Sequence, residues 1–151
     1  MQNLSVLERK DKKRFLEILK KHFGFEEKLD YVFLINNKNK VFMVNKEIAN
    51  IDLNKIRINS VGLYIAELRN DEVRLSIEGS QIIGPKSKKN IIELDEKEAR
   101  EWLKGKDLEK DIKEEGFVMI KHDNDYLGSG KATKGIILNF VPKTRRLNVS
   151  D

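Results

Sequence analysis

Residues 116–147 read GFVMIKHDNDYLGSGKATKGIILNFVPKTRRL, and how this stretch is read decides what the chain can be. Its middle, DYLGSGKATKG at 125–135, has the look of a phosphate-binding loop. Such a loop needs Gly, four residues, then Gly-Lys-Ser/Thr, followed by a helix whose N-terminus faces the phosphates. With Gly130-Lys131 as the Gly-Lys pair, Asp125 stands where the first Gly belongs and Ala132 where the hydroxyl belongs. Thr133, Lys134 and Gly135 then lead into IILNFV, an apolar, partly β-branched run that is a strand by composition. The nucleotide loop fails on all three counts. The stretch reads instead as three strands: Phe117–Lys121, Leu127–Lys131 after a DND turn, and Ile136–Val141 before Pro142.

Upstream of it, Asn90–Leu94 predicts a strand. Asp95 with Glu98 predicts a capping box opening a helix over Glu96–Leu103, ended by Gly105. Asp107–Ile112 predicts a second short helix. GPKSKKN at 84–90 holds Gly, Pro, Ser and lysines without an apolar residue, the best domain boundary in the chain. Before it, Leu4–Phe23 has apolar residues at helical spacing and stops at Gly24. Tyr31–Ile35 and Val41–Val44 form a hairpin through NNKNK. Ile48–Ile58 is ambiguous between helical turn and loop. Val61–Leu68 and Val73–Ile77 form a second hairpin, and the last strand is expected to run on through Glu78–Gln81 to Ile82–Ile83. The fold class is therefore α+β: an N-terminal α+β domain with an antiparallel sheet at 1–84, and a mostly β domain at 85–151, packed together.

Composition narrows function by exclusion. The 151 residues contain no cysteine, which removes thiol catalysis, redox centres and Cys-based zinc sites. His22 and His122 are the only histidines, too few for a histidine-rich metal site; at its helix end, His22 reads as a cation at the dipole's negative pole. No apolar run has bilayer length and the N-terminus lacks a signal-peptide core, so a soluble, cytoplasmic protein without a membrane partner is expected. Asp123 and Asp125 belong foremost to a turn, and Ser76 with His122 lacks a nucleophile-elbow context, so no enzyme and no cofactor are expected. Net charge is +5. From Tyr126 to Leu147 the chain carries Lys131, Lys134, Lys143, Arg145 and Arg146 and no acidic residue, the distribution that suits a polyanion. A further basic run, RKDKKRF at 9–15, spreads around a helix as a solvated surface would.

The order strand, short helix ending in WLKGKDL, then GFVMIKHDNDYLGSGKATKGIILNFVPKTRRL resembles the PUA domain, a small RNA-binding barrel. The ending LGSGKATKGIILNFVPKTRRL is similar to the RNA-binding tail of the Sun family of rRNA cytosine-5 methyltransferases and to its stand-alone archaeal relatives, and VRLSIEGSQIIG to the segment preceding that tail. The two-domain plan resembles the Nip-seven type of ribosome-biogenesis factor. The resemblance implies a PUA-like β-barrel at 85–151 in which Gly128 and Gly130 allow close backbone approach and Gly135 sits in a turn. It implies a non-catalytic protein that binds structured RNA (rRNA or tRNA) in ribosome biogenesis or RNA modification. A methyltransferase or assembly factor would be a partner in trans. The alternative is a protein-interaction scaffold of the same fold. The RNA-binding candidates are Lys121 on its strand, Lys131 and Lys134 about the glycine loop, and Lys143, Arg145 and Arg146 after the last strand. The resemblance adds Lys104, Gly105 and Lys106 after the helix. Of the aromatics, Tyr126 is a candidate for base stacking, while Phe140 and Trp102 are expected in the core.

Overall fold

Among the described residues, two five-stranded sheets carry the fold, and a short helix lies between them. The computed structural model describes residues 4–49 and 62–147. The first sheet is antiparallel and in sequence order: β1 (Ser5–Val6), β2 (Val32–Ile35), β3 (Lys40–Val44), β4 (Leu63–Arg69) and β5 (Glu72–Leu75). Helix α1 (Arg9–Phe23) buries Phe15, Leu19 and Phe23, spaced four apart and so on one stripe, against this sheet. Phe15 meets Phe33 with ring centroids 5.7 Å apart. The helix ends at Gly24, whose φ of 69° lets its N–H reach the Lys20 carbonyl. In the β2–β3 hairpin Asn36 Oδ1 accepts from the N–H groups of Lys38 and Lys40, both at 2.9 Å, and Asn39 takes φ 63°. The short helix α2 (Lys46–Ala49) follows β3. The rest of the ambiguous Ile48–Ile58 stretch lies outside the described residues.

The second sheet has the order β6 (Ile91–Glu93), β8 (Gly116–His122), β9 (Asp125–Thr133), β10 (Ile136–Asn139), β7 (Leu108–Glu109). β6 pairs parallel to β8 and the other pairs are antiparallel. Helix α4 (Glu96–Leu103) crosses from β6 with the expected capping box: Asp95 Oδ1 accepts from the Glu98 N–H at 2.8 Å and Glu98 Oε1 from that of Asp95 at 3.0 Å. Trp102, fully buried as expected, fills the inside of this sheet with Val118, Ile120, Ala132 and Ile137. A Cβ on Gly130 would lie 2.7 Å from the Trp102 ring, so the glycine is the space the indole occupies. The architecture is α+β, with a curled second sheet that fits a PUA-like barrel.

Three expectations are corrected. Strand β5 does not run on past Leu75: Ile77–Ile83 is a helix, α3. Ser76 starts it, its Oγ accepting from the Gly79 N–H at 2.9 Å and donating to the Tyr64 carbonyl at 2.7 Å. Small residues then let the helix rest on both sheets. A Cβ on Gly79 would overlap the Ile65 carbonyl of β4, and one on Gly84 would overlap the Tyr126 ring of β9. Ser80, fully buried, accepts from the Gly128 N–H at 3.0 Å. The helix expected over Asp107–Ile112 is instead the edge strand β7. Leu108 turns into the core opposite Ile137, and Lys110 donates to the Gly135 carbonyl at 2.9 Å. The long N-terminal helix loses its first residues to β1, which pairs with β2 through Ser5–Ile35 and Val6–Leu34.

The two halves share side chains. The N-terminal core cluster takes in Met119 and Tyr126 from the second sheet. Lys88 and Lys89, in the Gly- and Lys-rich segment 84–90, both donate to the Phe23 carbonyl. His22 closes the seam, Nε2–H donating to the Phe117 carbonyl at 2.6 Å. Because α3 touches both sheets at Gly79, Gly79→Ala is expected to lower stability by roughly 1–3 kcal/mol in urea unfolding, as forced overpacking does. Gln81→Ala, on the exposed side of the same helix, should stay within about 0.5 kcal/mol of the unsubstituted protein.

Candidate nucleic-acid interface

The candidate cations stand on three different supports. The first is the turn after α4. Gly105, at φ 90°, continues from Lys104, and Lys106 pairs with Glu101 at 2.5 Å. The C-terminal segment folds back onto this turn. The Leu147 N–H donates to the Leu103 carbonyl at 2.9 Å, and Arg146 Nε–H donates to the Val141 carbonyl at 3.0 Å. The Arg146 guanidinium covers Gly105 so closely that a Cβ there would stand 2.7 Å from its Cζ. Asn139, at the end of β10, clamps the turn: its side-chain amide donates to the carbonyls of Trp102 (2.8 Å) and Lys106 (3.0 Å), while its N–H donates to Asp107 Oδ1 at 2.8 Å. Lys104, Gly105, Lys106 and Arg146 thus form one patch. Lys143 and Arg145 sit beside it in a 3₁₀ turn over Lys143–Arg145.

The second support is the β8–β9–β10 surface that faces the N-terminal half. Strand alternation sends Val118 and Ile120 inward and Phe117, Met119 and Lys121 outward. Lys131, opposite Phe117, holds its ammonium 5.5 Å from the Phe117 ring centroid. Lys121 lies over the Tyr126 ring at 5.6 Å, toward the other end of the hairpin, on the order of 14 Å away along the strand. The third support is the β9–β10 turn, where Lys134 takes φ 47° and Gly135 φ 79° at an exposed tip. Gly135 is a turn residue as expected. The structure therefore brings Arg146 onto the 104–106 turn, with Lys143 and Arg145 in the adjoining 3₁₀ turn, and leaves Lys121, Lys131 and Lys134 on other supports.

Three of the cations already have partners, Lys106 through Glu101 as above. Arg145 NH1 reaches Glu78 Oε1 at 2.6 Å, and Arg146 is held over Gly105. Lys104 and Lys143 make no ion pair among the described residues, and Lys143 is exposed. The aromatic expectations reverse. Tyr126 is buried under Gly84 and offers no face for stacking. Phe140, expected in the core, is only half-buried, because it follows the end of β10 on the outward side, with Arg74 Cζ 4.7 Å from its ring centroid.

That contact opens onto a cleft of about 300 Å³ between the two sheets, which no reading of the sequence had picked out. Lys40, Glu67 and Arg74 stand side by side across β3, β4 and β5, an alternating row of charges. Glu67 Oε2 fixes Arg74 NH2 at 2.5 Å and Arg69 Nε at 3.3 Å. Lys40 lies over the Tyr64 ring at 5.2 Å. Burial pushes the Tyr64 phenol above the usual tyrosine range against the opposing pull of Arg74, so it stays protonated near neutral pH. In VRLSI the alternation does mark Arg74 as opposite in face to Val73 and Leu75. What it meets there depends on the second sheet, over sixty residues on.

The residues that suggested catalysis have structural roles. Ser76 caps α3, and DND is a tight turn in which Asp123 takes φ 52° and its N–H donates to Glu93 Oε1 at 3.1 Å. His122 Nδ1–H donates to the Leu94 carbonyl at 2.9 Å.

Against this geometry, residues 89–147 match the family described as the methyltransferase RsmF PUA domain. The C-terminal unit is thus a PUA domain resembling the tail of the Sun-type rRNA methyltransferases. Among curated proteins the chain is similar to ribosomal RNA small subunit methyltransferase F of Vibrio cholerae serotype O1, at 29% identity over 92 residues. The same protein of Vibrio campbellii is 30% identical over 97 residues, and that of Aeromonas salmonicida 28% over 90. The alignment covers about 60% of this chain in each case, and the chain spans only about one fifth of the length of these relatives.

One titration follows from the β8 end. The Leu94 carbonyl, with Asp123, Glu96 and Glu93 in support and desolvation opposing, holds His122 above the usual histidine range. A folded pKa above the unfolded one means that this contribution to stability is complete below the unfolded value. It fades as pH rises through the folded value. The His122 ring signals, followed by NMR, should titrate above those of the unfolded chain, and Asp123→Asn should move the midpoint downward.

Proposed function

We propose that this chain is a non-catalytic RNA-binding protein of rRNA modification, which holds structured RNA on the basic surface of its PUA domain. The observation that carries the proposal is the PUA match over 89–147, in which the stretch from Tyr126 to Leu147 is basic without an acidic residue. Phosphate contacts supply the affinity, and shape supplies most of the selectivity, since the surface offers many cations and few exposed rings. The patch about Lys104, Gly105, Lys106 and Lys143 is the contact surface. Gly105 lets an RNA backbone approach closely once the Arg146 side chain swings aside. The similar relatives are named as small-subunit rRNA methyltransferases, so small-subunit rRNA is the first RNA to try. The similarity covers a fifth of them, and this chain has no cysteine to attack a base. Methyl transfer, where it is coupled to this protein, belongs to a partner in trans, in the cytoplasm.

Lys104→Ala/Lys143→Ala tests the surface better than removing Arg145 and Arg146, whose internal contacts would be lost as well. In gel shifts on small-subunit rRNA fragments across a salt series, the pair is expected to weaken binding about equally for all fragments. It should lower the slope of log affinity against log salt by about one per contact. No binding at low salt by the unsubstituted protein would sink the proposal and favour the protein-scaffold role.

A further inference from the structure

From the cleft between the two sheets we infer a second, more specific site: it takes a single unpaired nucleotide of the bound RNA, base and phosphate together. The inference rests on the RNA-binding reading above and goes beyond it, since the basic patch alone reads no base. Four features converge. The cleft measures about 300 Å³, at the lower end of the range of small-ligand pockets. Its walls carry Lys40, Arg74 and Arg145; Glu78 engages Arg145 and Glu67, behind the wall, engages Arg74, which leaves one net positive charge, at Lys40. Planar groups, Tyr64 and Phe140, stand on opposite sheets, each with a cation over its ring. Ser129 also lines the cleft; its hydroxyl is buried, at 3% residue exposure, and has no hydrogen-bond partner among the described residues.

A hydroxyl in that state is rare in native structures because its desolvation goes uncompensated. In a cleft of this make-up, a ligand supplies the missing partner. Inorganic phosphate would satisfy the cations but not the rings, and an apolar ligand would satisfy neither the cations nor Ser129. A nucleotide satisfies all three: its base stacks among Tyr64, Phe140 and the Arg74 guanidinium, its phosphate meets Lys40, and a polar edge of base or sugar bonds Ser129. The position also makes sense of Phe140, an aromatic at the end of an apolar strand that the core leaves half-exposed.

The test compares one RNA hairpin with and without a single-nucleotide bulge, by fluorescence anisotropy, on the unsubstituted protein, Ser129→Ala and Phe140→Leu. The bulged hairpin is expected to bind about ten-fold tighter. Both variants should bring it down to the level of the paired one, while leaving the paired hairpin unchanged. Ser129→Ala guards against a folding artefact, because removing an unpartnered hydroxyl should leave urea unfolding unchanged or shifted upward. In parallel, nucleoside 5′-monophosphates should shift the Ser129 and Phe140 amide signals in NMR where inorganic phosphate does not. Equal shifts from inorganic phosphate would reduce the cleft to an anion site and overturn the inference. So would equal binding of both hairpins, or saturation by a free mononucleotide that the bulged RNA fails to displace. In those cases the patch reading survives wherever paired RNA still depends on Lys104 and Lys143. Loss of every RNA interaction would overturn both.

Discussion

Helix α3 rests on β4 at Gly79 and on β9 at Ser80 and Gly84, and everything else in the molecule is arranged about that wedge. Two sheets cannot approach a common helix this closely unless small residues stand at the points of closest approach. Gly79 stands against the Ile65 carbonyl, and Gly84 against Tyr126. Ser80 converts the remaining contact into a hydrogen bond to the Gly128 N–H. Gly128 itself, at φ 91°, turns that N–H toward the helix where an L residue would be strained. The cleft borders the same wedge: Ile77 and Glu78 of α3 line it, beside the contact of Arg74 with Phe140.

The wedge also determines which cations are available. Glu78, in the first turn of α3, draws Arg145 out of the C-terminal cluster and across to the N-terminal half. Arg146 is drawn the other way, over Gly105. The C-terminal cations are thereby sorted into arginines that brace the fold and lysines, Lys104 and Lys143 foremost, that remain for a polyanion. This sorting suits the chemistry of the two side chains. The guanidinium can fork, stack and bond a carbonyl at once, whereas the ammonium is a solvated point charge.

Local signals were legible in the sequence wherever the deciding contact lies within a few residues. The capping box of Asp95 and Glu98, the Gly24 stop, the Asn-rich β2–β3 turn and the DND turn all stand as read. So do the central strands, except that the last ends at Asn139 and not at Val141, and the likeness to a PUA tail. Misreadings fell where a distant partner overrides local preference. IEGSQII is apolar enough for a strand, but Ser76 caps it and Gly79 and Gly84 fit it between sheets that the sequence does not display. DLEKDI has helical composition, yet β10 offers Leu108 an edge and a core. Tyr126 and Phe140 exchanged their expected places because Gly84 at the end of α3 covers the first, inside β9, and the second lies past the end of β10. For the site, the residue types and the two groups taken separately, 143–146 from the basic run and 104–106 from the resemblance, were within reach. The engagement of Arg145 and Arg146 and the row Lys40–Glu67–Arg74 were not, since each joins residues brought together only by tertiary contact.

The strand order of the second sheet has a kinetic side. Its centre is built from adjacent hairpins, β8–β9–β10, which can form as soon as they are made. Its edges, β6 and β7, come earlier in the chain and each must wait for a partner far downstream, Met119–Lys121 and Ile136–Ile137. Such non-local pairings slow folding, since the loop between them has to be closed before the contact rewards it. In a growing polypeptide the α4 segment is made well before the strands that will cover it. Its indole stays wet until β9 arrives to supply the Leu127 carbonyl, 3.1 Å from Nε1, and the gap at Gly130. Trp102 is the single tryptophan of the chain, and its fluorescence is a built-in clock for the moment at which the early edge and the late centre meet.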